Sequence, residues 1–270
     1  MKRLYIYITI LVSLSILTSC LDDLTQDFDF EFEEQVFISG LLTNETDFVS
    51  VQIQKTVPVT DTTFSTVNDV QIFLYSRDAS NTVLLVTDSF TTDNGDYMSS
   101  EMITPITGNT YWIEAVLQDQ TVLTSEEEIL KPSIPIISMV KTGDIVRVTV
   151  TDQIEDENFY LVQFEVLKDG ILIDEFLGVF NDSFVTDNLE EFIEIDGIRE
   201  GDTVRASIYN INFNTFQFYA NLLNNLDDDL VLSSLFTPTN IVGNITNTTI
   251  NEQALGNFGI AGFSSMTKDF

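Results

Sequence analysis

The stretch Val49-Ser50-Val51-Gln52-Ile53-Gln54-Lys55-Thr56-Val57-Pro58-Val59 sets Val49, Val51, Ile53, Val57 and Val59 among polar residues with a period of two. Successive side chains of an extended chain point to opposite faces, so this stretch predicts a half-buried β-strand. Val, Ile and Thr suit it, because branched side chains fill a pleated surface well. Working outward, the same period returns at Val70, Ile72 and Leu74, and at Tyr111, Ile113, Ala115 and Leu117. It recurs at Val146, Val148 and Val150, at Val162, Phe164 and Val166, and at Val204, Ala206 and Ile208. Turn chemistry separates these runs: Asp93-Asn94-Gly95-Asp96, Gly108-Asn109 and Asp169-Gly170. Asn and Gly tolerate the positive φ of a tight hairpin. Short alternating strands with regular turns predict an all-β protein built of antiparallel β-sandwiches.

Lys131-Pro132-Ser133-Ile134-Pro135 reads as a boundary, since two prolines in four residues stiffen the chain and end strand pairing. The expected division is a first β-sandwich over 35–131 and a second, fibronectin-like one over 132–270. One segment follows a different period. Phe216, Tyr219, Ala220, Leu223 and Leu226 fall three or four apart, which predicts a short amphipathic helix over 214–226. Asn214 and Gln217 have the spacing of a capping box, and Asp227-Asp228-Asp229 is an unfavourable charge for a helix C-terminus. Such an apolar face packs against a sheet or docks a partner. From Pro238 onward alternation resumes, and the glycines of Gly256-Asn257-Phe258-Gly259-Ile260-Ala261-Gly262 permit a bulge or close backbone approach. A C-terminal hairpin closing on the second sandwich is expected.

The N-terminus carries different information. Lys2 and Arg3 precede an uncharged, mostly aliphatic run from Leu4 to Leu17, followed by Thr18, Ser19 and Cys20. A basic start, an apolar core and small residues before a cut site are the anatomy of a secretory signal. The run is too short to span a bilayer, which takes about 20 residues. A cysteine at the cut makes it a lipoprotein signal over 1–19: the Cys20 thiol takes a diacylglycerol and the preceding peptide is removed. Residues 20–34, with Asp22, Asp23, Asp27, Asp29, Glu31, Glu33 and Glu34, read as an acidic tether, or as a first edge strand from their Phe/acid alternation.

The chain holds 11 Lys and Arg against 43 Asp and Glu, a net charge of −32, with no histidine and one cysteine. A polyanion repels nucleic acid and anionic head groups. Without histidine there is no Ser-His-Asp triad and no imidazole base or metal ligand. With Cys20 lipidated, no thiol remains for a disulfide, a nucleophile or a metal. No catalytic, cofactor or metal residues are assigned. A close carboxylate pair of the glycosidase kind is possible among so many acids. Calcium is the metal such clusters suit, and the candidates are Asp93, Asn94 and Asp96; Glu155, Asp156 and Glu157; and Asp227, Asp228 and Asp229. None has EF-hand spacing. Tyr111, Trp112 and Phe263 are candidates for stacking on sugars, or for the core.

The landmarks occur in a familiar order: Cys20, then Val36-Phe37-Ile38-Ser39-Gly40, Val67-Asn68-Asp69-Val70-Gln71-Ile72, Asn94-Gly95-Asp96-Tyr97, Gly108-Asn109-Thr110-Tyr111, the helix, Pro238-Thr239-Asn240-Ile241-Val242-Gly243-Asn244-Ile245 and Gly256-Asn257-Phe258-Gly259. In this order the chain resembles the Bacteroidota lipoproteins of domain-of-unknown-function family 4249. At Asn68-Asp69 that family more often has small residues. The resemblance implies a first domain like transthyretin or the carboxypeptidase regulatory domains, followed by a fibronectin-like one. It implies an outer-membrane lipoprotein, often encoded beside a TonB-dependent transporter that is then a candidate partner, and it brings no catalytic residues. Leu21-Asp22-Asp23 resembles a signal for display on the outer face of the cell. Asp61-Thr62-Thr63 and Asp202-Thr203-Val204 resemble an O-glycosylation sequon. Three functions are therefore expected in order: a surface-exposed, non-enzymatic accessory that captures or hands over a ligand for a transporter; a structural or adhesive envelope lipoprotein; and a carboxylate-dependent hydrolase.

Overall fold

Strands form where the period of two is clean, and their partners then decide the architecture. The computed structural model describes residues 33–58, 65–151, 158–181, 190–225 and 241–270. The N-terminal half supplies β1 (Val36–Thr43), β2 (Ser50–Lys55), β3 (Ser65–Thr66), β4 (Gln71–Arg77), β5 (Val83–Thr87), β6 (Phe90–Asp93), β7 (Asp96–Ser99), β8 (Thr110–Val116), β9 (Val122–Ser125) and β10 (Glu128–Ile129). After Pro132 come β11 (Ile136–Thr142), β12 (Ile145–Thr151), β13 (Phe159–Lys168), β14 (Ile171–Asn181), β15 (Glu190–Ile195) and β16 (Asp202–Ile211). Helix α1 (Phe213–Asn225), β17 (Val242–Asn247) and β18 (Glu252–Asp269) complete the described chain. The signal peptide, Cys20, nearly all of the tether, Asp61-Thr62-Thr63, Glu155-Asp156-Glu157, Asp227-Asp228-Asp229 and Pro238-Thr239-Asn240 lie outside the described residues.

The fold is all-β with one helix among the described residues. A long mixed sheet follows the path β5-β4-β8-β9-β17-β18-β1-β2-β7-β6, with β13, β14 and β16 joined to it through β18. A separate three-stranded sheet runs β11-β12-β15. Three apolar cores hold these layers. The first packs Ile72, Leu74, Ile113, Ala115 and Leu123 from the β4-β8-β9 side against Ile38, Leu42, Val51, Ile53 and Tyr97 from the β1-β2-β7 side. The second packs Met139, Val146, Val148 and Val150 of the small sheet against Val162, Phe164, Val166, Val204, Ala206 and Ile208 of β13 and β16. The chain passes from Leu130 in the first core to Ile134 in the second across Lys131-Pro132-Ser133. The third core packs α1 against β13, β16 and β18 through Phe159, Leu161, Ile211, Phe218, Tyr219, Leu222 and Ala261.

Three details depart from the sequence reading. First, β1 and β18 pair in parallel, from Phe37↔Leu255 to Thr43↔Ala261, so the large sheet is mixed rather than purely antiparallel. Second, the β17–β18 hairpin forms, yet β17 pairs with β9 (Ile245↔Ser125) and β18 continues from β1 onto β16. The last strand therefore serves all three cores instead of closing on the second sandwich. Gly256 makes this path possible. Its φ is +101°, and a Cβ there would stand 1.8 Å from the Ile38 carbonyl oxygen. Opposite it, Val242 pairs with both Leu255 and Gly256, a bulge that fits the glycine-rich sequence.

Third, the helix begins at Phe213, and its buried face is Thr215, Phe218, Tyr219 and Leu222. Asn214 does not cap it; its side chain donates to the Glu126 carboxylate. The apolar pattern alone put Phe216, Ala220 and Leu223 on the inner face. The true face is rotated because the polar Thr215 is inside, for a reason given below.

Candidate functional site

An open groove forms where β1 leaves β18. The last paired residues are Thr43 and Ala261, and beyond them the loop 44–49 turns away towards β2 while β18 runs on beside β16. The loop is held at several points. Asn44 Oδ1 accepts from the Phe263 backbone amide. Asp47 and Ile103 exchange backbone hydrogen bonds of 3.1 and 2.8 Å. The Thr46 and Thr104 hydroxyls meet at 2.9 Å, and the Val49 amide donates to Ser99 Oγ at 2.9 Å. Glu45 and Asp47, two residues apart on this loop, both line the groove. Its opposite wall is Tyr209 and Phe263, directly paired across β16 and β18, with ring centroids 4.9 Å apart. Leu41, Leu42 and Val49 complete the apolar lining, and Phe48, 43% exposed, stands at the lip. The volume is about 250 Å³.

The chemistry of this groove is acidic and aromatic. Neither Glu45 nor Asp47 takes part in an ion pair among the described residues. Asp47 Oδ1 accepts from the Phe48 amide at 2.7 Å. Burial, with Glu165 and Glu45 nearby, pushes the Tyr209 phenol up to about 12. The hydroxyl therefore stays protonated at neutral pH and remains able to donate.

Three residues earlier on β18, a second polar cluster is closed to solvent. Glu128 is 3% exposed. It accepts from Thr215 Oγ1 at 2.9 and 3.0 Å, from the Ile260 amide at 3.1 Å, from Asn244 Nδ2 at 3.3 Å and from Asn212 Nδ2 at 3.4 Å. These donors come from α1, the residue preceding it, β17 and β18. Burial raises the carboxyl to about 7, and the four donors only partly offset that rise. A carboxyl poised near neutrality is a signature of general acids. Here both carboxyl oxygens accept from protein donors, so the arrangement locks the helix to the sheet. It also explains why Thr215 points inward. Sequence reading missed both this cluster and the groove. The signals available were Asn212, Asn244 and Asn257, polar residues beside strongly apolar runs.

The residues singled out from sequence are not brought together. Tyr111 is in the first core, and its hydroxyl accepts from the Ile106 amide at 2.7 Å. Trp112 is covered on the outer face, stacked on Tyr75 at 5.4 Å with the Arg77 guanidinium 5.5 Å from its ring centroid. Neither offers a free ring face to a sugar; only Phe263 reaches a groove. Asp93, Asn94 and Asp96 form the β6–β7 hairpin turn, where Asn94 and Gly95 have φ of +51° and +83°. Asp96 accepts from Gln52 Nε2 at 2.8 Å. Among the described residues no group of three metal-ligating side chains converges.

The family model described as "Domain of unknown function (DUF4249)" matches residues 22–267. The chain belongs to the DUF4249 family. The match takes in the cores, the groove and the Glu128 cluster. No curated protein matches this DUF4249 chain. Among solved structures, it is similar to chicken interferon gamma receptor alpha chain at 17% identity, covering 66% of this chain and 88% of that one, with a TM-score of 0.21. A putative carbohydrate binding protein from Bacteroides uniformis follows at 11% identity, 66% and 89% coverage and a TM-score of 0.20. A DUF3823 family protein from Parabacteroides merdae matches at 12% identity, 66% and 90% coverage and a TM-score of 0.22. At such scores none of them bears on what the DUF4249 chain does.

Proposed function

We propose that this DUF4249 chain is a lipid-anchored, non-enzymatic lipoprotein of the outer membrane, displayed on the cell surface, that captures or hands over a ligand for a TonB-dependent transporter. The observation that carries the proposal is Leu17-Thr18-Ser19-Cys20 at the end of a charged-then-apolar leader. Several acyl chains on one cysteine hold a protein far more firmly than a single chain does. No helix among the described residues is long and apolar enough to cross a membrane. Binding rather than catalysis is supported by where the unusual groups sit. Among the described residues the carboxyl raised to near neutrality, Glu128, is buried under protein donors, whereas the open groove offers acceptors, a phenol and aromatic surface.

The test is a deletion strain compared with one carrying Cys20→Ala. Loss of uptake of one transporter's cargo in both strains, with the Cys20→Ala protein recovered away from the membrane, supports the proposal. Normal uptake and unchanged transporter assembly in the deletion strain would sink it.

A further inference from the structure

We infer that the groove between the loop 44–49 and the Tyr209–Phe263 pair is a binding site for a small organic cation, a protonated amine carrying an apolar body. The inference rests on the reading of this chain as a ligand-binding protein.

Four observations lead to this chemistry. Glu45 and Asp47 both line the groove and neither has a basic partner among the described residues, so an incoming cation can pair with them without breaking an ion pair. The facing wall is a cross-strand pair of aromatic rings, whose faces attract cations and bury alkyl or aryl carbon. The Tyr209 hydroxyl has no hydrogen-bond partner among the described residues, and the charges of Glu165 and Glu45 both act on it. Finally, the loop bearing the acids is fixed to β18, to Ile103 and to Ser99, so binding does not have to order it. A bare divalent cation fits less well, since calcium takes six to eight oxygens and two of the nearest surfaces here are rings. An anion meets two residues of like charge against a single phenol donor. The volume of about 250 Å³ matches a small molecule rather than a folded partner.

The experiment is calorimetric titration of the full lipidated protein in a non-ionic detergent with phenethylammonium, and with phenethyl alcohol and phenylacetate as the neutral and anionic counterparts. The expected result is saturable one-to-one binding of the ammonium, weakened by salt, and at least about tenfold weaker binding of the alcohol. Glu45→Gln combined with Asp47→Asn should weaken the ammonium by about tenfold or more, and Tyr209→Leu should weaken it as well. Both acids are exposed on the loop, so their replacement leaves the cores intact. Asp144→Asn with Glu252→Gln removes the same charge at exposed sites elsewhere and should leave the affinity unchanged. Equal binding of ammonium and alcohol, equal weakening by the remote pair, or no saturable binding would each overturn the inference. Amine binding without any transporter partner would leave the site standing and remove only the functional proposal. A transporter partner without amine binding would do the reverse.

Discussion

Glu128 shows how a residue that reads as surface becomes an internal fastener. Its folded carboxyl titrates near 7, against an ordinary glutamate value of 4.5. Between those values the folded protein holds a proton that the unfolded chain has released. This contribution to stability is therefore fully present below pH 4.5 and is lost as pH rises through about 7. The loss is on the order of 3 kcal/mol for a shift of this size. Urea unfolding midpoints from pH 4.5 to 8 should fall in the native protein and fall distinctly less in Glu128→Gln, which has no proton to release there. Parallel pH profiles for the two proteins would contradict the assignment. Gly256 makes a second prediction. An alanine there must hold φ near +101° and push β1 away from β18, because its Cβ would overlap the Ile38 carbonyl. Gly256→Ala should cost roughly 3 kcal/mol or more by the same unfolding assay. Gly170, whose φ is +78° with open space around it, should cost less.

Among the elements, α1 and β18 divide what the sequence made legible from what it hid. Period-two runs and their Asn-Gly and Asp-Gly turns reported β4, β8, β12 and β16 directly, because burial on one face imposes alternation, and they reported β13 although its first six residues are all buried. The helix was legible as a helix, but its face was rotated, since a search for apolar residues passes over a threonine buried for a hydrogen bond. The contrast is measurable. Leu222→Ala should cost about 2–5 kcal/mol, as for a filled core site, while Leu223→Ala, only partly buried, should cost clearly less. Equal costs would restore the face drawn from the sequence. The parallel pairing of β1 with β18 was not legible, because it joins residues more than 200 positions apart through a glycine-rich run of weak periodicity. The groove was hidden for the same reason: Glu45 and Asp47 come from one end of the described chain, and Tyr209 and Phe263 from the other.

For the molecule as a whole, the charge of −32 and the fold bear on different questions. Strand alternation and three apolar cores account for the folded body without disulfides. An acidic balance of this size repels other polyanions and favours cationic ligands from a distance. The leader and Cys20 account for where the molecule is proposed to work. The central claim is that it works there beside a transporter. The most direct measurement is gentle detergent extraction of native membranes, pull-down through a C-terminal tag and quantification of what co-purifies. The account predicts a TonB-dependent transporter at close to one-to-one. Recovery of the protein alone, from extracts in which transporters remain intact, would contradict it.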